Sequence, residues 1–380
     1  MSRSKSLLGL TAAASAAVTL ITAGSAHADL APTAGDAVGV GSDTVQNILN
    51  FLADGDSAGD TGYNSTGPKN RLVSFDATPD ANDRAGYLNG STTAAPLALT
   101  PTVVLRQGQH PVQRPNGSGA GVAALIADTA HNIDFVRMSR LPKVSEQQAA
   151  TAATGVGALR VIKISTDNLK LATANTTNAP ANLTAQQIVD IYKCNVTDWA
   201  AVGGTAGTIA PEIPQSGSGT GDTFRSDLTA LNGGTAVTLG SCVTTTEEND
   251  PASIKSNPNA IAPFSEGRKN LYDSGYFNDP TVKYGTTPVP LTSGIKFVAT
   301  STYTDTRGLY IVFRNSDVAS TKAFQPGGVL NLVEDLFYNP TNAGGATPFV
   351  KTDAGKAAIA AAGATPTYVD CGSGASVTTC

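Results

Sequence analysis

Apolar residues recur along this chain in two alternating patterns, and each pattern predicts a different kind of element. Short β-rich runs predict strands at Arg71–Phe75, Thr102–Leu105, Ile133–Val136, Leu159–Ile164, Ile295–Ala299 and Leu309–Phe313. Apolar stripes at three- and four-residue spacing predict helices over Val45–Leu52, Val122–Ile126, Ile188–Tyr192, Phe224–Leu231 and Val329–Leu336. Thr184 and Gln187 have the spacing of a capping box at the start of the third helix. Strands that alternate with helices are typical of an α/β fold.

The N-terminal segment has the pattern of an export signal. Arg3 and Lys5 precede a stretch from Leu7 to Ala23 that is mostly apolar or small and has no acidic residue. Ala26-His27-Ala28 then supplies small residues at alternate positions, so residues 1–28 are predicted to be cleaved and the mature protein to be secreted. The stretch is too short and too rich in Thr, Ser and Gly to predict membrane insertion. No cysteine lies near the predicted cleavage site, so we expect no lipid anchor.

Composition predicts a folded, acidic protein. Charged residues make up only 14% of the chain, but a hydrophobic content of 41% indicates a folded globular protein rather than a disordered one. About 350 residues remain after the predicted cleavage, enough for two lobes with their own cores. The formal net charge of −5 disfavours a nucleic-acid partner, which needs a basic surface. It does not exclude a small anion, because local hydrogen-bond donors decide that interaction.

Four cysteines in an exported chain predict two disulfides. Three pairings are open from sequence alone, and we favour Cys194–Cys242 together with Cys371–Cys380. A metal site is disfavoured because the chain has no Cys-x-x-Cys pair and the mature part has only His110 and His131. We expect no metal and no cofactor.

Three segments have the composition of an anion-binding turn at the start of a helix. They are Gly39–Thr44, Asn116–Gly121 and Ser216–Thr223, and each is followed by one of the predicted helices. The first turn of a helix has unpaired backbone N–H groups and the positive end of the helix dipole. Any one such turn is more simply an ordinary helix cap. Three in one chain favour an anion site.

A fourth segment adds positive charge. Ile133–Arg140 is predicted to be a strand that ends in a basic turn. Arg137 or Arg140 could hold an oxyanion through two parallel hydrogen bonds, although for either residue alone a solvated or salt-bridged surface arginine is the simpler interpretation.

The three turns, in this order, resemble the substrate-binding proteins of phosphate ABC transporters. Ser216–Thr220 matches the Gly-Ser-Gly-Thr phosphate loop of that family, and Ile188–Trp199 resembles its helix-then-Trp segment. Ile133-Asp134-Phe135 before Ser139, and Asn257–Phe264, stand at family-like positions. The resemblance implies a two-lobed, periplasmic-binding-protein-like fold of type II, with mixed sheets, flanking helices and a ligand cleft between the lobes.

We expect a discontinuous first lobe, residues 29–155 and 265–380, and a second lobe, residues 156–264. The segments Thr151–Gly157 and Ser256–Pro263 are the predicted crossovers between them. By resemblance, the ligand contacts are Ser42, Asp43, Thr44, Ser118, Ser139, Arg140, Ser218, Gly219 and Thr220.

The chain departs from the family at two positions. Pro214-Gln215-Ser216 stands where the family has an arginine, and Arg140 stands where it has an aspartate that accepts the proton of HPO₄²⁻. Loss of this acceptor removes the usual means of rejecting sulfate. Positive charge could come from Arg137, Arg140 or Arg225, and an acceptor from Asp43 or Asp222.

The sequence therefore predicts a secreted, monomeric solute-binding protein that captures phosphate or a similar oxyanion without catalysis, for ABC-type uptake with a permease. The alternative is a secreted surface or matrix protein of the same fold that binds a phosphorylated or saccharide polymer. A secreted hydrolase is disfavoured because the mature chain has only two histidines, His110 and His131, that could act as a catalytic base.

Overall fold

The computed structural model describes residues 31–55, 59–77, 102–274, 293–299, 303–318, 329–338 and 347–380. The predicted export signal, residues 1–28, lies outside these ranges. The strands are β1 Ala37–Gly41, β2 Leu72–Ser74, β3 Thr102–Val103, β4 Val112–Gln113, β5 Phe135–Met138, β6 Leu159–Ala174, β7 Ala210–Pro214, β8 Thr244–Thr246, β9 Ala260–Ser265, β10 Ile295–Phe297, β11 Asp305–Arg314 and β12 Thr365–Ser373.

The described helices flank these strands. They are α1 Asp43–Asp54, α2 Ser118–Ala127, α3 Val144–Ala152, α4 Ala185–Tyr192, α5 Gly219–Leu231, α6 Ala252–Lys255, α7 Glu266–Asp273, α8 Val329–Phe337 and α9 Asp353–Ala361. All five helices predicted from apolar stripes are present. The predicted capping box is confirmed, because Thr184 Oγ1 accepts from Gln187 N at 3.2 Å and Gln187 Oε1 accepts from Thr184 N at 2.8 Å.

One mixed sheet organises the described part of the chain, and it confirms the predicted α/β fold. Its strand order is β2-β1-β5-β11-β6-β9-β7-β8, and β10 and β12 also pair with β6. Strands β2, β1 and β5 run parallel to one another, whereas β11 pairs antiparallel with both β5 and β6. We call β2, β1, β5 and β12 the first half of the sheet, and β9, β7, β8 and β10 the second half.

Two long strands, β6 and β11, pass through both halves. At its start β6 pairs with β12, and at its end, from Leu169, it pairs with β9 and β10. Strand β11 pairs with β6 from Arg314↔Leu159 to Asp305↔Leu169. The chain therefore crosses between the halves inside a paired two-strand ribbon. The segment Thr151–Gly157, predicted as a crossover, comes just before this ribbon.

Burial on both faces explains why the central strands read as continuous apolar runs. Along β11, Leu309, Ile311 and Phe313 face one hydrophobic cluster, and Tyr310 and Val312 face another. Helices α1, α8 and α9 contribute to the first cluster, and α2 contributes Val122 and Leu125 to the second. A third cluster belongs to the second half of the sheet and contains Leu169, Ile188, Tyr192, Trp199, Phe224, Leu228 and Ile261.

Two disulfides are present, with the favoured pairing, Cys194–Cys242 and Cys371–Cys380. The first joins the end of α4 to the segment before β8, and the second closes a loop at the end of β12. Among the described residues, no helix has both the length and the apolar character needed to cross a membrane.

Removal of a disulfide should cost more stability when the loop that it closes is longer, and the cost grows with the logarithm of loop length. Cys194 and Cys242 are 48 residues apart, and Cys371 and Cys380 are 9 apart. The chain-entropy relation then gives losses of about 4 and about 2.5 kcal/mol in the free energy of unfolding. Urea unfolding of the two paired Cys→Ser variants measures this difference. Equal losses would contradict the loop-length explanation.

Candidate anion-binding site

The first Gly/Ser/Thr turn is shorter than the sequence suggested. Gly39, Val40 and Gly41, interpreted above as part of the turn, belong to β1, because this strand is held extended by parallel partners on both sides. Ser42 is the residue that precedes α1, and the helix begins at Asp43. The side chain of Thr44 therefore leaves the first turn of a helix, where backbone N–H groups are unpaired.

The other two turns have the predicted form. Gly117, with φ +97°, precedes α2, which begins at Ser118. Gly217, with φ +90°, comes before Ser218, whose Oγ accepts from Gly221 N at 2.9 Å and caps α5. These positive φ angles favour glycine at both positions. The hydroxyl of Ser218 is thus occupied by its own helix.

The starts of α1, α2 and α5 converge. Gly119 N donates to Gly217 O at 2.8 Å, and Thr44 Oγ1 lies 3.1 Å from Thr220 Oγ1. A side-chain carbon at Gly219 would overlap the hydroxyls of both Ser118 and Ser139, so only glycine fits there. The structure thus brings together five of the nine predicted contacts, namely Thr44, Ser118, Ser139, Gly219 and Thr220.

Ser118 and Ser139 form a hydroxyl pair within this cluster. Ser139 N donates to Ser118 Oγ at 2.9 Å, and the two Oγ atoms lie 3.3 Å apart. Both serines are buried, as is Ser42, whose Oγ has no hydrogen-bond partner among the described residues. Buried hydroxyls with spare donors suit an oxygen-rich ligand.

Arg140, predicted as a ligand contact, has a full set of protein partners. Its Nη1 and Nη2 donate to Glu146 at 2.8 and 2.7 Å, and its Nε donates to Asp222 Oδ2 at 2.8 Å. Asp222, considered as an acceptor for the ligand, is therefore paired with a cation. Arg137 is fully buried and donates to the carbonyls of Gly41 and Ser42.

Two functional candidates escaped the sequence analysis, and the first is Glu248. Its Oε1 accepts from Thr44 Oγ1 at 2.7 Å, from Thr220 Oγ1 at 2.5 Å and from Thr220 N at 3.3 Å. Its Oε2 is buried and has no partner among the described residues. The neighbouring Asn249 donates to Asp43 Oδ1 and Thr44 Oγ1, both at 3.0 Å. No local motif marks these residues.

The second candidate is Arg307, on strand β11. Its Nη1 donates to Thr220 Oγ1 at 2.7 Å, and its Nη2 lies 3.5 Å from Thr44 Oγ1. Asp167, its cross-strand partner on β6, accepts from Arg307 Nη2 at 3.0 Å. Arg307 therefore brings a guanidinium to the hydroxyl cluster from β11. It lies two residues before the strand that the sequence predicted at Leu309–Phe313.

Around the cluster, carboxyl groups outnumber guanidinium groups. Asp43 lies 3.6 Å from Arg268 and is fully enclosed. Burial raises the pKa of Asp43 to about 7; Arg268 opposes the increase in pKa, and Glu248 adds to it. Among the described residues, no group of three or more His, Cys, Asp or Glu side chains could hold a metal ion. The arrangement offers hydroxyls, N–H groups and one guanidinium to an oxygen-bearing ligand.

Comparison with known proteins identifies the family. A family model for the PBP superfamily domain matches residues 77–324, more than half of the chain. No curated protein sequence matches the chain. The fold and the match together show that this chain belongs to the PBP superfamily, which confirms the family and fold predicted from the three turns.

Solved structures similar to this chain include three whose descriptions name phosphate. One is a phosphate ABC transporter substrate-binding protein of Clostridium perfringens with bound phosphate, with 17% identity, a TM-score of 0.50 and coverage of 87% of this chain and 99% of that chain. A second is the high-affinity periplasmic phosphate-binding protein PfluDING with bound phosphate, with 14% identity, a TM-score of 0.50 and coverage of 87% and 90%. A phosphate transport receptor of Vibrio cholerae has 16% identity, a TM-score of 0.48 and coverage of 87% and 100%.

Replacement of Asp43 by Asn should change the pH dependence of stability. A carboxyl whose pKa is raised to about 7 in the folded state, from 3.8, loses stability as pH rises between these values, because the unfolded state ionises first. Asn imitates the neutral acid. The free energy of unfolding of Asp43→Asn relative to wild type should therefore increase by roughly 1 kcal/mol or more from pH 4 to pH 8.

Urea unfolding at several pH values measures this change. Asp353→Asn, at the exposed start of α9, is the control for loss of one carboxylate, and it should not reproduce the increase. A pH-independent difference for Asp43→Asn would show that Asp43 is ionised throughout.

Proposed function

We propose that this chain is a secreted solute-binding protein that captures phosphate, or a closely similar oxyanion, between two lobes. The convergence of three helix starts carries the proposal. The hydroxyls of Thr44 and Thr220 lie 3.1 Å apart and those of Ser118 and Ser139 lie 3.3 Å apart, and Gly219, next to Thr220, packs against the second pair. In this proposal β2, β1, β5 and β12 belong to one lobe, residues 29–155 with 265–380, and β7, β8 and nearly all of β9 belong to the other, residues 156–264. Strand β10 lies in the first range but pairs with the end of β6 in the second half of the sheet. The ribbon of β6 and β11 is the hinge.

The donor set suits a tetrahedral oxyanion. The helix starts offer backbone N–H groups and the positive ends of their dipoles, and the hydroxyls add donors without adding charge. Ser42, Ser118, Ser139, Ser218, Gly219 and Thr220 would contribute through hydroxyl or backbone groups. Two structural neighbours, the Clostridium perfringens protein and PfluDING, are both described with bound phosphate and support this ligand class.

Arg307 would replace the arginine that the family carries before its phosphate loop. Because Asp167 accepts from the same guanidinium, Arg307 is fixed in orientation and its terminal N–H groups are directed to the hydroxyls of Thr220 and Thr44. A guanidinium that a protein carboxylate already holds in place loses less conformational entropy on ligand binding than a free side chain.

Glu248 would replace the missing acceptor aspartate. Its Oε1 accepts from three donors, and Oε2 is buried with no partner in the part of the chain that the structure describes, so one more hydrogen bond can be accepted there. A ligand that carries an O–H group, such as HPO₄²⁻, supplies this hydrogen bond. A fully ionised anion would instead place a lone pair against a carboxylate and be repelled.

The proposal includes export through the N-terminal signal, a monomeric state and delivery of the solute to an ABC permease. It includes no chemical step. The alternative, a surface or matrix protein that binds a phosphorylated or saccharide polymer, would present the same donors to a larger ligand. The enclosed hydroxyls of Ser118 and Ser139 favour the small anion, because a polymer needs an open groove.

Thr220→Val removes the hydroxyl at the centre of the cluster while it keeps the side-chain shape. We expect the affinity for phosphate to fall roughly tenfold to hundredfold, since a hydrogen bond to a charged partner is lost. Isothermal titration of the mature protein with phosphate at neutral pH measures the change. Thr229→Val, on the same helix and bonded only to Arg225 O, is the matched control. Absence of phosphate binding by the wild type would refute the proposed ligand.

Glu248→Gln tests the acceptor. The amide keeps the size of the side chain but replaces a lone pair with N–H donors at one of the two terminal positions. We expect phosphate affinity to fall and sulfate affinity to rise, so that the ratio of the two affinities decreases at least about tenfold. Titration of both anions into wild type and variant measures the ratio. An unchanged ratio would assign discrimination to another residue.

A further inference from the structure

A group of charges beside the proposed site bridges the two halves of the sheet. Asp222 lies in the first turn of α5, which packs on the second half. Its Oδ2 accepts from Arg140 Nε at 2.8 Å and lies 2.9 Å from Lys143 Nζ. Arg140 follows β5 of the first half, and Lys143 precedes α3. One carboxylate of the second half is thus bound by two cations of the first.

The two cations are held in place from their own side. Glu146 accepts from both terminal nitrogens of Arg140 and from Lys143 N, the latter at 2.7 Å. Arg140 Nη1 also donates to Leu141 O at 2.9 Å. These contacts lie within α3 and the turn before it. The Nε of Arg140 is left to reach across to Asp222.

Asp222 is not needed to start its own helix. Ser218 supplies the cap of α5 through its hydroxyl, and the carboxylate of Asp222 points instead to Arg140 and Lys143. The side chain of Arg140 is 10% exposed and that of Asp222 is 25% exposed, so the pair is screened by water less than a surface ion pair.

The charges lie next to the direct contact between the halves. The position of a side-chain carbon at Gly119 would be 3.3 Å from Arg140 Nη2, and Gly119 N donates to Gly217 O. Any separation of the helix starts at this contact therefore also separates Arg140 from Asp222. The ion pairs and the anion site open together.

We propose that Arg140, Lys143 and Asp222 form an ionic clasp that stabilises the closed arrangement of the two lobes. Arg140 then acts on the ligand through closure rather than by contact. A contact present only in the closed arrangement shifts the equilibrium between open and closed forms by its own free energy. The clasp sets how readily the site opens and how fast a captured anion leaves. Salt weakens such a clasp.

Asp222→Asn removes the shared carboxylate and tests the clasp. We expect the radius of gyration of the ligand-free protein, from small-angle X-ray scattering, to increase relative to wild type at low salt. Wild type should approach the value of the variant as salt is added. Asp353→Asn, which removes an exposed ion pair with Lys356, is the control and should scatter like wild type. Identical scattering by Asp222→Asn and wild type would overturn the proposal.

Ligand release gives a second measurement. In Asp222→Asn, the rate of phosphate dissociation should increase roughly fivefold to tenfold relative to wild type, because the coupling between closure and binding is reduced. Lys143→Glu, at a half-exposed position, should open the protein in the same direction, because it replaces a cation beside Asp222 with a carboxylate. It keeps the clasp testable if Asp222→Asn folds poorly. The scattering experiments need no ligand, so absence of phosphate binding would refute the proposed function and still leave the clasp to be judged.

Discussion

A buried ion pair between the two spanning strands is the interaction on which the rest of the site depends. Arg307 and Asp167 are cross-strand partners on β11 and β6, with side chains that are only 4% and 2% exposed. Asp167 Oδ1 also accepts from Gly267 N, which fixes the start of α7. Removal of either partner would leave a buried charge without compensation. The pair therefore ties the ribbon of β6 and β11 to a helix on one side and to the hydroxyl cluster on the other.

Orientation, more than net charge, makes this cluster suited to an anion. The carboxylates of Asp43, Asp167 and Glu248 outnumber the guanidinium groups of Arg268 and Arg307 around it. A cluster of this charge attracts an anion only through donors that are already aimed at it, such as helix N–H groups and buried hydroxyls. Such a site can distinguish anions by their protons, because its own acceptors repel any ligand that has no proton to share.

Glycine sets how closely the two sides approach. Gly219 faces the hydroxyls of Ser118 and Ser139, and Gly119 and Gly217 are joined by a backbone hydrogen bond. Side chains at these positions would hold the helix starts apart. The ion pair between Arg140 and Asp222, beside this contact, can form only because the backbones come this close. Close approach of the backbones and the ion pair of Arg140 with Asp222 are thus one structural feature.

The amino-acid sequence by itself determined part of the local structure: five of the described helices, the cap of α4, and the turns that begin α2 and α5. These properties depend on residues three or four positions apart, and the 3.6-residue repeat of a helix makes them visible in the chain. It also favoured the correct cysteine pairs. Only the tertiary structure decided the partners of Thr44, since Glu248 is 204 positions away and Arg307 is 263 positions away. No local pattern encodes such distances. Strand order in the sheet brings these residues together, and it likewise turned Arg140 towards Asp222, 82 positions along the chain.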